Sequence, residues 1–341
     1  IGFPCCTGNK SIDNPNVSYP ALSKENFFSV PGSDRLWVYY YWEKVNVTRE
    51  CITNDLEAMK KKGISGFLLC DVRARGFMSP EWREIVKYTM HESARLGLEM
   101  SINLSNSGTD LRGSWDLGKD GPKKLIWTSK TVHGPVKISE LLKTPENTRY
   151  YQDVFFIAVK PRSKEDSSGD QLPGDLNGKW NDVVEPEKDA TFAEEVRYLG
   201  KELKNGQLQW DVPEGEWKIL RFGYTVIGDK ESVDVLNKEA VIKYFNLMGN
   251  EILNDAGPLA GKKLKYFYNV SWEGSEPNWT PGFEQEFVRF RGYEIEDYMP
   301  VLAGMIVNDH SLSKRFLRDY YRTCSDCFLE NCYTKIGQLC H

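Results

Sequence analysis

The chain has 341 residues, 40% of them apolar and 13% aromatic, a composition that supports a large buried core and excludes disorder. The net charge of -5 comes from 44 basic and 49 acidic residues without a basic cluster, which argues against a nucleic-acid partner. No apolar run is long enough to span a bilayer.

In chain order, residues 1–34 are rich in Pro, Asn and Ser and read as an irregular arm. The chain opens at Ile1 without a Met, and IGFPCCTG is compatible with the remnant of a leader. RLWVYYYWE (35–43) predicts a strand with rings on both faces, as a buried parallel strand requires. Thr48 is placed to cap a helix with Ile52, Leu56 and Met59 on one stripe, stopped by Gly63. ISGFLLCDV (64–72) predicts a second strand ending in Asp71. Ser79 and Pro80 open a second helix that ends near Gly97, and LEMSINLSN (98–106) predicts a third strand. Strands and helices alternating at such short intervals predict a parallel α/β fold of the (β/α)-barrel kind.

That pattern breaks between about 124 and 229. YYQDVFFIAVKP (150–161), GQLQWDVP (206–213) and EWKILRFGYTVIG (216–228) are β-type runs, with residues 211–217 expected to turn between the last two. The expected organisation is therefore barrel over 35–133, an inserted antiparallel β domain over 134–228, and barrel again over 229–341. In the last part Asn237 caps a helix, KLKYFYNV (263–270) forms a fourth strand, Thr280-Pro281 opens a helix closed by Gly292, and a final helix runs to about 336. The chain stops at His341 directly after helical sequence, which reads as a barrel cut short after about four strands.

Barrel enzymes place their chemistry at the C-terminal ends of the strands. Those ends supply Trp42 with Glu43, Asp71, Asn103 with Asn106, and Glu273 beside Trp272. Carboxylates and amides converging on one mouth suit glycoside hydrolysis, in which an acid protonates the leaving oxygen and a base activates water. Each has a plainer alternative: Glu273 as a surface glutamate, Asp71 as a partner for Arg73 or Arg75, Asn103 as an amide satisfied by backbone. The four histidines (His91, His133, His310, His341) lie in helical or edge contexts, and no glycine-rich phosphate loop follows a strand. Cys324, Cys327 and Cys332 fall on a helical pattern and not in a zinc knuckle, while Cys51 and Cys70 read as small buried residues.

The runs WVYYYW, NVTRECITNDLEAMKKKGISGFLLCDV, FMSPEWREIVKYTMHESARLGLEMSIN and KKLIWTSKTVHG follow one another as in the α-L-rhamnosidases of glycoside hydrolase family 106. VDVLNKEAVIKYF, AGKKLKYFYNVSWEGSEPNWTP and EFVRFRGYEIEDYMPVLAG continue the resemblance, which covers roughly 35–340. It implies an exported bacterial enzyme acting on plant or microbial polysaccharide by an inverting mechanism, with a calcium ion near the sugar hydroxyls. It places Glu273 as the general acid, with Trp42, Asp71, Asn103, Asp234, Trp272 and Trp279 around the sugar. The chain departs from the family pattern at Val270, where an aspartate is usual, and in SNSGTDLRGSW (105–115), where a Gly- and Trp-rich loop is usual. The second catalytic carboxylate is expected beyond His341. These departures keep two other readings open: a carbohydrate-binding relative without catalysis, and a barrel glycosidase for another sugar.

Overall fold

A computed structural model describes residues 24, 28, 30, 35–43, 47–72, 76–108, 110–146, 148–161, 192–204, 207–269, 272–273 and 276–341. The N-terminal arm through Cys5 and Cys6, the polar stretch 162–188, Arg73, Arg75 and Val270 lie outside these residues.

Strand β1 (Trp37–Glu43) leads through Thr48 into helix α1 (Arg49–Lys61). The Thr48 hydroxyl accepts from the Cys51 N–H at 3.2 Å, satisfying one of the helix's free donors. Ile52 and Leu56 face inward, whereas Cys51, expected inside, is exposed because it lies about 100° around the helix from Ile52. Strand β2 (Gly66–Val72) is followed by helix α2 (Pro80–Leu96), capped by Ser79 and ended by Gly97 in the left-handed conformation at φ 71°. Strand β3 (Glu99–Asn103) completes the first run. Much later come helix α3 (Lys238–Ala256), capped by Asn237, and strand β9 (Leu264–Tyr268). The four strands form one parallel sheet in the order β1-β2-β3-β9. Helices α1 to α3 cover one face of it, and the first core lies between them.

The insertion is a mixed sheet built on two long strands, β4 (Lys123–Glu140) and β8 (Gln207–Val226), paired antiparallel from Lys123↔Val226 to Glu140↔Leu208. Strands β5 (Gln152–Pro161) and β6 (Phe192–Tyr198) extend it, and β7 (Leu203–Lys204) pairs with β8. Two expectations are corrected here. The sheet begins at Lys123, so β4 runs straight through position 134. Residues 211–217 do not turn either: they lie within β8, which stays paired with β4 on both sides. The local Pro and Gly chemistry makes a bulge, where the register steps from Gly134↔Gly215 to Val136↔Val212. A side chain at Gly134 would run into the Pro213 carbonyl oxygen, so only glycine fits that crossing.

After β9 come helix α4 (Phe283–Arg291), the short α5 (Met299–Leu302), strand β10 (Ile306–Val307), and helix α6 (His310–Phe328). A π-helical turn (Leu329–Thr334) and helix α7 (Lys335–Leu339) end the chain. Strand β10 adds to β6 in parallel, and α4 to α6 cover one face of the mixed sheet. Leu125, Phe155, Leu220 and Phe222 meet Phe283, Phe287, Phe316 and Tyr320 in this second core. Each such fully buried side chain contributes roughly 1.5–3 kcal/mol. Cys324, Cys327 and Cys332 are buried in this helical region as free thiols, their pKa values raised by burial. Among the described residues no helix is long and apolar enough to cross a membrane.

Candidate functional site

Alternation along the strands decides what can reach a ligand at the C-terminal end of the parallel sheet. The register aligns Tyr40, Leu69, Ile102 and Phe267 on one face, and Trp42 with Asp71 one step further on. This is the helix face. Trp42 is buried in the first core, edge-to-face with Tyr40 at 5.8 Å. Asp71 accepts a 2.5 Å hydrogen bond from the Trp82 indole on α2. Both predicted site residues therefore point away from the opposite face.

Burial raises the Asp71 carboxyl to about 6, partly offset by the Trp82 hydrogen bond. A carboxyl raised in the folded state contributes stability that is present below its unfolded pKa, about 3.9, and lost as pH rises through about 6. Asp71→Asn keeps an oxygen for Trp82 and removes the buried charge. We expect it to stabilise the chain by roughly 1–3 kcal/mol at pH 7.5 and to change little at pH 4. Urea melts at the two pH values check this; equal effects at both would show that Asp71 is not charged in the fold.

The opposite face carries Tyr39, Leu68, Ser101 and Tyr266 in register, then Tyr41 beside Cys70, and Asn103 beside Tyr268. No helix covers it. Tyr39, Tyr41 and Tyr266 are 55%, 59% and 63% exposed, which is unusual for ring side chains in the middle of a sheet. Tyr39 stacks on Tyr41 at 5.5 Å and meets Tyr268 edge-on at 6.2 Å. The hydrogen bond with Tyr39, helped by burial, pushes the Tyr268 hydroxyl up to about 12.

Asn103 stands at the end of this face, 2% exposed. Its amide nitrogen donates to the carbonyls of Ser105 at 2.9 Å and Ser107 at 3.2 Å, while its Oδ1 is buried with no partner among the described residues. The following loop is tightly knit. Ser105 Oγ accepts from the N–H groups of Ser107 and Arg112, both at 3.0 Å, and Tyr244 donates to the carbonyls of Leu104 and Arg112. Asp110 Oδ2 accepts from Ser232, and its Oδ1 is a second buried oxygen without a partner. Asn103 is thus half satisfied by backbone, with its acceptor left over.

Glu273 lies in the segment that follows β9, and its side chain is exposed. Trp272 is half-buried, edge-to-face with Phe328 at 5.2 Å, which ties the residue before Glu273 to the end of α6. Asp234 and Trp279 occupy different surroundings. Asp234 is 0% exposed and receives Lys123 Nζ at 2.9 Å, Thr280 Oγ1 at 2.8 Å and the Leu236 N–H at 3.1 Å. Burial raises its carboxyl, and Lys123 opposes the rise. Trp279 is 1% exposed and packs on Phe283 at 4.8 Å and Phe155 at 6.3 Å in the second core. Neither offers a free surface in this chain. Together they anchor the stretch after Glu273 to the mixed sheet.

The sequence reading missed the tyrosine face. Its signal was the parity of WVYYYW: Trp37, Tyr39 and Tyr41 share one side, and Val38, Tyr40 and Trp42 the other.

The sequence profile of glycoside hydrolase family 106, described as alpha-L-rhamnosidase, matches residues 29–178 and 175–341. A Formosa agariphila protein named "Putative beta-glucuronidase" is 30% identical over 343 residues, covering 93% of this chain and 29% of the relative. The solved structure of a rhamnosidase from Novosphingobium sp. PP1Y superposes with a TM-score of 0.78 at 22% identity, covering 93% of this chain and 46% of that one. The chain thus spans less than half the length of either protein. The two matched segments run through the inserted sheet and together cover residues 29–341, and the chain belongs to glycoside hydrolase family 106, the alpha-L-rhamnosidase family.

Proposed function

We propose that this chain forms part of the catalytic region of an inverting glycosidase that removes terminal α-L-rhamnosyl or related deoxy-sugar units from polysaccharide. The observation that carries the reading is the sheet face that the described helices leave open, with Asn103 at its C-terminal end and Glu273 in the segment that follows β9. In this reading the four strands are a segment of a (β/α) barrel, and the tyrosine face is its interior. Glu273 protonates the leaving oxygen. The unpartnered Oδ1 of Asn103 accepts from a sugar hydroxyl, and Tyr41 and Tyr268 wall the pocket. Trp272 holds the acid's backbone by packing on Phe328. Trp42, Asp71, Asp234 and Trp279 act from behind the wall as positioning residues. The base that activates water is assigned to sequence outside this chain, about 6.5–9.5 Å from the acid. Export from a bacterial cell and a polysaccharide substrate belong to the same proposal.

Calcium, which the resemblance implies, finds little support in the residues present. Calcium takes six to eight oxygens. The strand ends offer two buried oxygens without partners, on Asn103 and Asp110, and no group of three His, Cys, Asp or Glu gathers among the described residues. These residues do not make its shell, and no step is routed through it.

The name of the Formosa agariphila relative supports a second reading, in which the sugar is a uronic acid. Assaying the full-length protein on aryl α-L-rhamnoside and aryl β-D-glucuronide separates the two. Release from the rhamnoside alone is the expected result. Release from the glucuronide alone overturns the sugar assignment, and binding of either sugar with no turnover of any glycoside overturns catalysis.

A further inference from the structure

A cleft of about 520 Å³ lies where the mixed sheet meets the N-terminus of α3, lined by none of the residues placed at the strand ends. One wall is Tyr150, Gln152 and Tyr224; the other includes Lys119, Asn237 and Glu239. We propose that this cleft is a second carbohydrate-binding site, holding a glycosyl unit of the polymer away from the bond that is cut. The proposal rests on membership of a glycosidase family and is independent of the role given to Glu273.

Three observations point to a ligand. First, Tyr150 is 54% exposed, and its hydroxyl lies beside the turn at Gly118. A Cβ added to Gly118 would stand 3.3 Å from that hydroxyl. An exposed ring beside a turn, on the wall of a cleft, offers a stacking surface for the apolar face of a sugar.

Second, Tyr150 has φ 55°, a left-handed conformation that costs a bulky residue energy and that glycine adopts freely. The strain is imposed from both sides. The Arg149 N–H and carbonyl are each bound to Thr225 Oγ1 at 2.8 Å, and Gln152 pairs with Tyr224 in the sheet. Backbone strain of this kind clusters at ligand-contacting positions, and here it sets the Tyr150 ring on the cleft wall.

Third, the polar groups of the cleft suit hydroxyls better than a charged ligand. Tyr224 donates to Gln152 Oε1 at 2.7 Å, which orients the amide and leaves its nitrogen to donate. The Glu239 carboxylate accepts, and the exposed Lys119 ammonium donates. The other charges are neutralised in place, Asp120 by Lys243 and Lys123 by Asp234. A phosphate or a nucleic-acid backbone would find no surplus of cations here, whereas a polyol meets alternating donors and acceptors beside a ring.

The test is titration calorimetry, with saturation-transfer NMR, of the 341-residue chain against oligosaccharides carrying L-rhamnose or D-glucuronic acid. Tyr150→Gly is expected to raise Kd at least tenfold while leaving the melting temperature unchanged or higher, because glycine relieves the left-handed strain. A structural role for the ring predicts the opposite movement in melting temperature. Glu239→Gln, on the exposed side of α3, is expected to weaken binding several-fold without loss of fold. Glu273→Gln leaves binding at this cleft unchanged, so failure of the acid assignment and failure of the cleft are read separately. An unchanged Kd in Tyr150→Gly, or the absence of saturable binding to every oligosaccharide in the panel, overturns the proposal.

Discussion

Glu273→Gln in the full-length protein is expected to lower turnover of a natural glycosidic linkage by about 10²–10⁴-fold. Glutamine keeps the size of the side chain and its hydrogen bonding but cannot deliver the proton that the leaving oxygen needs. An aryl glycoside with a good leaving group should lose much less, because its departing oxygen is already stable as an anion. The ratio between the two substrates is the diagnostic quantity. Turnover of the natural linkage within a few-fold of the unaltered enzyme would remove Glu273 from the mechanism. An equal loss on both substrates would make it a binding group and not the acid. The 341-residue chain by itself is expected to show no turnover of either substrate, since the proposal assigns the base to sequence outside it.

The second large effect is on folding. Lys123 and Asp234 are 3% and 0% exposed, and their ion pair joins the start of β4 to the segment before α3 and, through Thr280, to the stretch after Glu273. Lys123→Met removes the cation and strands a buried carboxylate. The expected cost is about 3–5 kcal/mol in urea unfolding at pH 7. Burial already raises this carboxyl, and losing the ammonium that opposes the rise pushes it further. A carboxyl raised in the folded state is least costly when protonated, so the defect should shrink as pH falls toward 4 and be largest at neutral and alkaline pH. The double change Lys123→Met with Asp234→Leu should recover most of the loss, since an apolar pair leaves no charge to solvate. A defect that did not vary with pH, or a double variant no better than the single, would mean that packing and not charge holds this junction.

Much of the fold was legible in the sequence because its signals are local. Thr48, Ser79 and Asn237 cap helices by accepting from N–H groups three residues on, and Gly97 and Gly292 stop them in the left-handed conformation. What was not legible depends on distant partners. The Pro and Gly of residues 211–217 carry turn chemistry, yet β4, some eighty residues earlier, pairs on both sides and turns the signal into a bulge. Parity was hidden at the strand ends because β1 has rings on both faces, so Trp42 read as lining a mouth when it faces the helices. Asp234 and Trp279 match a family pattern in sequence, but only the meeting of β4, α3 and the 278–281 stretch shows that they are enclosed. Glu273 was singled out from its position after a strand, and that strand is present as β9, paired with β3.

The neighbours β3 and β9 have consequences for synthesis as well. They touch in the finished sheet, with Ser101 Oγ donating to the Tyr266 carbonyl across 165 positions of sequence. A ribosome adds about 5–20 residues each second, so the free edge of β3 waits roughly 8–30 s for its partner. During that interval the whole mixed sheet from β4 to β8 is made, and its long β4–β8 pairing gives it a partner of its own. The insertion is therefore a timer as well as a wall: it assembles while the first three strands stand with an open edge, the period in which a nascent chain most needs a chaperone.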